Sequence, residues 1–351
     1  MPILRPRPHP TVLAALLALA LVPAPPDSLV VIAHRGASGD RPEHTLEAYR
    51  LAVEQGADVI EPDLVMTKDG VLVARHENEV SGTTDVARRP EFADRRATKT
   101  IDGEAVTGWF TEDFTLEELK TLRAVERLPD LRPANAAYDG QFEVPTFDEV
   151  VALAQELGAA RGRPVGLYPE TKHPSYFRAL GLPLEEPLVA ALHDAGYTSP
   201  ADPVWIQSFE VGNLRALDAM TDLRLVQLAA PGGAPADRPA PDYDAMMAPG
   251  GLAEVSAYAD AVGVAKAFVL DADLAPTPLV ADAHAAGLAV HVWTVRAENA
   301  FVPPALRSSD DLAAHGDLAA EVRALVAAGV DGLFTDHPAL VLGALGRGGA
   351  E

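Results

Sequence analysis

The sequence predicts an α/β protein built as a parallel (β/α)8 barrel, also called a TIM barrel. Short apolar runs alternate with amphipathic stretches, which predicts repeated βα units and a parallel sheet. Acidic and basic residues end many of these runs, and this spread favours a barrel, whose strand ends surround one site. The 351 residues, 48% of them hydrophobic, are enough for a sizeable core. A doubly wound open sheet remains the alternative fold.

Nine runs are predicted as strands, and they alternate with helix-like stretches. The strands are 29–34, 58–64, 71–76, 164–170, 204–208, 223–228, 261–264, 288–294 and 331–335. The helices lie near 45–55, 146–158, 185–195, 210–220, 278–286 and 317–328. Eight βα units account for these elements if 71–76 is an extra arm. Thr146 and Glu149 form a capping box at the start of one helix.

Three regions break this alternation. Residues 80–143 contain no βα unit, only a helix-like stretch, Thr115–Arg127, and turn-rich sequence. We predict that they are a small insertion that packs as a cap over one edge of the barrel. Residues 229–250 and 297–310 are predicted to be long loops without secondary structure, and loops of such length usually serve the active-site rim.

The N-terminus has the layout of a secretory signal peptide. Arg5 and Arg7 give it a basic start, an apolar run of 12 residues extends from Thr11 to Val22, and Pro23 then breaks any helix. We therefore expect residues 1–24 to be removed, residues 29–346 to form the main domain, and the protein to be exported, either periplasmic or secreted. An uncleaved anchor or a misplaced start is the alternative interpretation.

The charge and cysteine content exclude several classes of function. The formal net charge is −23, which argues against nucleic acid as a partner and disfavours docking on anionic membranes. Beyond the N-terminal run no segment is long and apolar enough to span a bilayer, so no stable membrane insertion is expected. The absence of cysteine excludes disulfides and thiol catalysis. The oligomeric state is not indicated.

Three carboxylates at strand ends are candidate metal ligands. Glu61 and Asp63 lie two residues apart on one predicted strand, so their side chains point to the same side. Two such carboxylates repel each other unless a cation or a proton lies between them. Glu170 ends another strand and completes an all-oxygen set, which suits Ca²⁺ or Mg²⁺ better than Zn²⁺. The alternative is that Glu61 and Asp63 form ordinary ion pairs at a strand end.

Two histidines beside these carboxylates are candidate acid–base groups. Cleavage of a phosphodiester needs one proton removed and one donated, and histidine titrates near neutral pH. We assign His34 as the base and His76 as the acid. Arg35 could bind two phosphate oxygens and Lys172 a third. Two further candidates for substrate contact, for which core packing is the alternative, are Gln207 and Trp293.

The sequence resembles a known family in several blocks. The blocks are HRGASG at 34–39, PEHTL at 42–46, EPDLVMTKD at 61–69, YPETK at 168–172, IQSF at 206–209, VWTV at 292–295 and GLFTD at 332–336. Together with His76 they resemble the glycerophosphodiester phosphodiesterases, most closely the exported bacterial type, over roughly residues 29 to 345. Glu77 departs from the pattern, because the family usually has Asp there, and we expect it to orient His76.

The resemblance implies a metal-dependent hydrolase of small-molecule glycerophosphodiesters, that is, of deacylated phospholipids. The products would be sn-glycerol 3-phosphate and an alcohol. The cofactor would be Ca²⁺, with Mg²⁺ as the alternative. The nucleophile would be the free 2-hydroxyl of the glycerol. The family also places an insertion near residues 80–143. A phospholipase D-like or teichoic-acid phosphodiesterase on the same barrel is the alternative enzyme, and a wall-binding barrel without activity is the alternative non-enzyme.

Overall fold

The computed structural model describes residues 29–238 and 240–348, so the predicted signal peptide at 1–24 lies outside the described residues. The strands are β1 (Val30–His34), β2 (Val59–Glu61), β3 (Asp63–Met66), β4 (Leu72–Ala74), β5 (Ala97–Ile101), β6 (Glu104–Gly108), β7 (Gly166–Leu167), β8 (Glu170–Thr171), β9 (Trp205–Ser208), β10 (Arg224–Ala229), β11 (Ala261–Ala265), β12 (Ala289–Val295) and β13 (Gly332–Thr335). The helices are α1 (Leu46–Glu54), α2 (Leu116–Leu119), α3 (Phe147–Arg161), α4 (Pro174–Ala179), α5 (Glu185–Asp194), α6 (Val211–Asp218), α7 (Tyr243–Met246), α8 (Pro249–Val255), α9 (Lys266–Val269), α10 (Leu279–Ala285), α11 (Leu318–Ala328) and α12 (Pro338–Ala344).

The main sheet curls round on itself in the manner of a TIM barrel. Pro62 alone separates β2 from β3, and Tyr168-Pro169 separates β7 from β8, so each pair is one interrupted strand. β2 and β3 pair in parallel with β7 and β8 respectively. From β8 the parallel order runs through β9 to β13, then to β1 and back to β2. The predicted parallel α/β architecture is therefore confirmed, with β4 as an antiparallel arm on β3.

Two layers of apolar side chains hold this sheet. The inner layer includes Ile32, Tyr168 and Phe334, all with no more than 1% of their surface exposed. His291 lies inside the barrel, where its Nδ1 is 2.6 Å from the Tyr168 hydroxyl. The outer layer joins the strands to the helices, and α1 begins where Thr45 accepts a hydrogen bond from the backbone of Ala48.

Residues 80–143 form an irregular segment around a two-stranded hairpin that the sequence did not suggest. β5 and β6 are antiparallel and are joined by Asp102 and Gly103, whose positive φ angles of 49° and 89° are typical of a type I′ turn. The predicted helix over Thr115–Arg127 is wrong beyond α2. The backbone of Ala124 instead donates to Phe142 at 2.8 Å, so a long-range pairing replaces the helical hydrogen bond.

The two predicted loops differ in outcome. Residues 229–250 are not structureless, because α7 lies within this range and α8 begins at its end. The Asp242 side chain caps α7 by accepting from the backbone of Ala245 at 2.8 Å, and Pro249 occupies the first turn of α8. Residues 297–310 contain only a short 3-10 turn at Pro304–Leu306. Within the described ranges, no helix has the length and apolarity needed to cross a membrane.

Candidate active site

The predicted site residues lie together at the carboxyl ends of the barrel strands. His34 ends β1 beside Glu61 at the end of β2, and the next strands place Asp63 beside Glu170 and Glu170 beside Gln207. This register sets the groups in a row across neighbouring strands, at the barrel end where active sites are found. They open onto a cavity of about 530 Å³.

The turn after β1 depends on an unusual backbone. Arg35 and Gly36 have positive φ angles of 61° and 88°. A side chain on Gly36 would place its Cβ 2.7 Å from the backbone carbon of Ala48, so only glycine fits where α1 packs against the turn. The turn also directs the backbone N–H of Arg35 to Glu61 Oε2, at 2.8 Å.

Glu61, Asp63 and Glu170 form the predicted carboxylate triad. One oxygen from each lies within 4.8 Å of the others, and all three side chains are buried. Gln207 donates to Glu61 Oε1 at 2.9 Å, and His44 Nε2 is 2.9 Å from Asp63 Oδ2. Among the described residues, Asp63 Oδ1 has no hydrogen-bond partner although it is buried. The partners thus orient the triad and leave acceptor oxygens free.

The electrostatics of the triad suit a cation bound between its carboxylates. Burial, followed by the neighbouring Asp63, raises the pKa of Glu61 well above its usual range. Burial also raises the pKa of Glu170 to about 8, although Lys172 opposes the shift. Repelling, desolvated carboxylates with a free oxygen fit a divalent cation, and the all-oxygen donor set fits a hard one such as Ca²⁺ or Mg²⁺.

His34 is held by a carboxylate that the sequence did not reveal. Its Nδ1 lies 2.6 Å from Asp336 Oδ1, and the other oxygen of Asp336 accepts from Arg132 at 2.6 Å and from Arg296 at 2.8 Å. Burial, then the charge of Arg35, lowers the pKa of His34 to about 4, and Asp336 only partly offsets this. His34 is therefore neutral near pH 7: its Nδ1–H donates to Asp336, and its Nε2 is able to accept a proton.

His76 is held in a similar way. Its Nδ1 is 2.8 Å from Glu77 Oε1, which confirms that Glu77 orients it. Lys172 Nζ lies 3.3 Å from His76 Nε2 and 3.0 Å from Glu170 Oε1. Burial, then the charges of Arg35 and Lys172, lowers the pKa of His76 to about 3. Both histidines are thus anchored at Nδ1 by a carboxylate.

Arg35 is fixed by carboxylates before any phosphate arrives. Its Nη1 donates to both oxygens of Glu43, at 3.1 and 3.2 Å, and its Nε lies 3.4 Å from Asp63 Oδ2. Glu43 also accepts from Arg127 Nε at 2.8 Å. Glu43 therefore holds the arginine in place, and Arg35 remains on the cavity wall.

The rest of the cavity wall is largely apolar. Trp293 lines it and is itself fixed, because its Nε1 donates to the carbonyl of Gly263 at 3.0 Å. Phe209 packs edge-to-face on Trp293, with ring centroids 6.0 Å apart. This wall suits the carbon face of a small molecule whose charged end lies at the triad.

All nine sequence-predicted site residues line this cavity or, for Asp63, lie directly behind it. The sequence missed the groups that orient them, which are the buried His44, Arg132 and Asp336 and the half-buried Arg296. His44 lies in the block PEHTL and Asp336 in the block GLFTD, and both blocks carry the family resemblance. Their presence in these blocks was the available signal. Arg132 had no such signal, because its partner Asp336 lies 204 residues away.

Comparison with known proteins gives a consistent picture. The family model described as "Glycerophosphoryl diester phosphodiesterase family" matches residues 34–340. The chain is 36% identical over 321 residues to the Arabidopsis thaliana glycerophosphodiester phosphodiesterase GDPD6, covering 87% of this chain and 82% of that protein. It is 33% identical over 298 residues to the glycerophosphodiester phosphodiesterase of Haemophilus influenzae, covering 76% of this chain and 79% of that protein.

Solved structures share the fold. A provisionally assigned glycerophosphoryl diester phosphodiesterase from Silicibacter pomeroyi aligns with a TM-score of 0.65 at 24% identity, over 90% of this chain and 93% of that one. An Oleispira antarctica phosphodiesterase, whose structure is in complex with the product sn-glycerol-3-phosphate, aligns with a TM-score of 0.56 at 22% identity, over 90% and 96% of the two chains. At these identities the likeness supports the TIM-barrel-like architecture.

Proposed function

The chain belongs to the glycerophosphoryl diester phosphodiesterase family, and we propose that it hydrolyses glycerophosphodiesters to sn-glycerol 3-phosphate and an alcohol. The observation that carries this proposal is the buried carboxylate triad flanked by two histidines, each anchored at Nδ1 by a carboxylate, in one cavity. The relatives that match most of the chain bear this activity in their names, which does not favour a phospholipase D-like or teichoic-acid enzyme.

Glu61, Asp63 and Glu170 would hold the metal, which we propose to be Ca²⁺, with Mg²⁺ as the alternative. Ca²⁺ accepts six to eight oxygen ligands in flexible geometry, and three carboxylates leave positions for substrate oxygens. When bound, the cation would act as a Lewis acid on the phosphoryl group. The guanidinium of Arg35 and the ammonium of Lys172 would bind the remaining phosphate oxygens.

We assign the proton transfers to the two histidines. The glycerol 2-hydroxyl gives its proton to Nε2 of His34, and its oxygen attacks phosphorus. The bond from phosphorus to the head-group oxygen breaks, and that oxygen takes a proton from His76. A five-membered cyclic phosphate results, which water opens with the histidine roles reversed. Lys172 donates to Nε2 of His76 in this structure, so it must turn to the phosphate before His76 can carry the proton.

A vicinal hydroxyl on the substrate explains why no protein nucleophile is needed. The Ser38 hydroxyl donates to the carbonyl of His34 at 2.7 Å, so it is engaged with the backbone. A hydroxyl on the reacting molecule also has a large advantage in effective concentration. Trp293 and the neighbouring apolar wall would pack on the glycerol carbons, while Gln207 acts through Glu61.

The reaction is tested with a panel of phosphodiesters, with released glycerol 3-phosphate as the readout. We expect glycerophosphocholine and related deacylated phospholipids to be cleaved, and a 2-deoxy analogue to bind but to turn over very poorly. Equal turnover of the 2-deoxy analogue would show that water attacks directly, and no turnover of any glycerophosphodiester would refute the function.

The metal site is tested with Glu61→Gln and Glu170→Gln. Each removes one negative ligand at a strand end, so we expect Ca²⁺ affinity and turnover to fall while the far-ultraviolet circular dichroism stays unchanged. Glu54→Gln, which neutralises an exposed carboxylate on α1, is the control and should bind Ca²⁺ normally. Calorimetry on the three variants decides the matter, because normal Ca²⁺ binding by both site variants would remove the metal assignment.

We further propose that residues 29–346 form the catalytic domain and that residues 1–24 direct export, as in the exported bacterial type. The basic start and the short apolar run at the N-terminus support this. Expression of the full chain in a bacterial host, followed by cell fractionation and N-terminal sequencing of the product, provides the test. A cytoplasmic product that retains Met1 would contradict export.

A further inference from the structure

A chain of four side chains links His76 to the β5–β6 hairpin. Glu77 accepts from His76 Nδ1 at 2.8 Å through Oε1, and its Oε2 lies 2.9 Å from His173 Nε2. His173 Nδ1 in turn lies 2.6 Å from Asp102 Oδ2, in the turn of the hairpin. The four residues come from three separate parts of the sequence, so the fold brings them together.

The protonation state of His173 follows from the two carboxylates that it contacts. His173 lies between two carboxylates, whose hydrogen bonds outweigh burial and raise its pKa to about 9. Near pH 7 it is therefore charged and donates from both ring nitrogens. Glu77 keeps one oxygen for His173 and presents the other to Nδ1 of His76. Because Glu77 accepts from Nδ1, Nε2 of His76 is the nitrogen that faces the substrate and must carry the proton given to the leaving oxygen.

The backbone at both ends of the contact is unusual. Asp102 and His173 each have a φ of 49°, in the left-handed region that non-glycine residues seldom adopt. In Asp102 this conformation belongs to the turn between β5 and β6, and in His173 it precedes Pro174 at the start of α4. Only 14% of the His173 side chain is exposed. The left-handed backbone of His173 and its 2.6 Å hydrogen bond to Asp102 indicate a constrained role for His173.

We propose that Asp102 and His173 are positioning residues for His76, and that the β5–β6 hairpin thereby completes the acid half of the active site. Asp102 holds His173, His173 holds Glu77, and Glu77 sets the orientation and tautomer of His76. This inference rests on the proposed function, because it assigns His76 the proton that the leaving alkoxide takes.

The test uses two variants that respect the left-handed backbone. Asp102→Gly removes the carboxylate, and glycine is well tolerated in a type I′ turn. His173→Asn removes the bridge, and asparagine tolerates a positive φ better than most residues. Glu104→Gln, an exposed charge on the same hairpin, is the matched control. Each variant is assayed with glycerophosphocholine and with glycerol 3-(4-nitrophenyl phosphate), whose leaving group needs no proton.

We expect both variants to lower kcat for glycerophosphocholine by about 10-fold, less than the about 10²–10⁴-fold range for loss of an acid–base group itself. Turnover of the nitrophenyl ester should change by less than about 2-fold, because the acid is not needed there. Glu104→Gln should leave both substrates unaffected. A role limited to folding or metal binding would slow both substrates alike, and that result would overturn the proposal.

A double-variant cycle with Glu77→Gln gives a second measurement. If Asp102 and His173 act through Glu77, adding Asp102→Gly to Glu77→Gln should cause no further loss of kcat with glycerophosphocholine. A full, independent loss would overturn the proposal. Failure of the wild-type protein to cleave glycerophosphocholine would instead refute the proposed function, and the positioning role with it. Normal wild-type turnover with unaffected variants would refute the positioning role alone.

Discussion

The barrel and the segment 80–143 make different contributions to the same site. The residues that line the cavity all come from barrel strands and the loops that follow them. The segment places three side chains behind that wall: Asp102 contacts His173, which reaches His76 through Glu77, Arg127 contacts Glu43, and Arg132 contacts Asp336. Each of these contacts reaches a group that orients a catalytic or phosphate-binding residue. The barrel therefore supplies the residues that line the site, and the segment 80–143 supplies residues that help to orient them.

This difference explains why the catalytic residues can be recognised from the sequence while the residues that orient them cannot. The groups that perform chemistry must lie at strand ends, where short apolar runs in the sequence mark them. The supporting groups need only reach the site in space, and they come from irregular structure. Variants in the two regions should accordingly differ in size and kind of effect.

The largest effect is expected from the barrel histidines. His34→Ala and His76→Ala should each lower turnover of glycerophosphocholine by about 10²–10⁴-fold, the range for loss of a general acid or base. A nitrophenyl leaving group should restore much of the rate of the His76 variant and little of that of the His34 variant. Steady-state assays of the two variants on the two substrates check this, and rescue of the His34 variant alone would reverse the assignment.

An intermediate effect is expected from Arg132 in the segment. Its guanidinium is buried and pairs with Glu298 at 2.5 Å and with Asp336 at 2.6 Å. Arg132→Met deprives buried Glu298 of its arginine partner and leaves Asp336 with only Arg296 and His34, so the free energy of unfolding should fall by about 3 kcal/mol. Turnover should fall by about 10-fold, because Asp336 then holds His34 less well.

Chemical denaturation and calorimetric Ca²⁺ titration of this variant sharpen the comparison. Ca²⁺ affinity should be unchanged, since Arg132 does not contact the triad. Arg88→Met, an exposed substitution in the same segment, is the control and should match the wild type. A large loss of Ca²⁺ affinity in Arg132→Met would mean that the segment supports the metal site as well.

The last expected effect is a pair of opposite pH dependences of stability. Burial lowers the pKa of His291, inside the barrel, to about 4, so the unfolded chain binds its proton first and stability falls from pH 6.5 to 4. His173, whose pKa is raised to about 9, stabilises below pH 6.5, and that stability is lost as the pH rises to 9. Each contributes at most about 1.4 kcal/mol per pH unit.

Denaturation curves at several pH values separate these contributions. His291→Gln should flatten the acidic side of the stability profile, and His173→Asn the alkaline side. Asp102→Gly should also flatten the alkaline side, because His173 loses one of its two carboxylates. An alkaline side that is identical in the wild type and in His173→Asn would show that His173 is not charged in the fold.

The sequence predicted the barrel strands and the catalytic groups because both follow from local patterns. Buried strands are continuous apolar runs, and the ionisable residues that end them meet wherever parallel strands end together. The β5–β6 hairpin escaped prediction because its strands are rich in threonine and charged residues and carry no apolar alternation. The short helix α7 was missed although Asp242 is a recognisable cap. Asp336 could not be assigned to His34, because 302 residues separate them.

The most direct test of the account is glycerol 3-phosphate release from glycerophosphocholine, measured after chelation and then during titration with single metals. We expect chelation to abolish release of glycerol 3-phosphate. We expect Ca²⁺ to restore this release better than Zn²⁺, since the ligand oxygens come from Glu61, Asp63 and Glu170. The Glu61→Gln variant should not recover at the same Ca²⁺ concentration. Full turnover in excess chelator would contradict a metal-dependent reaction at this site.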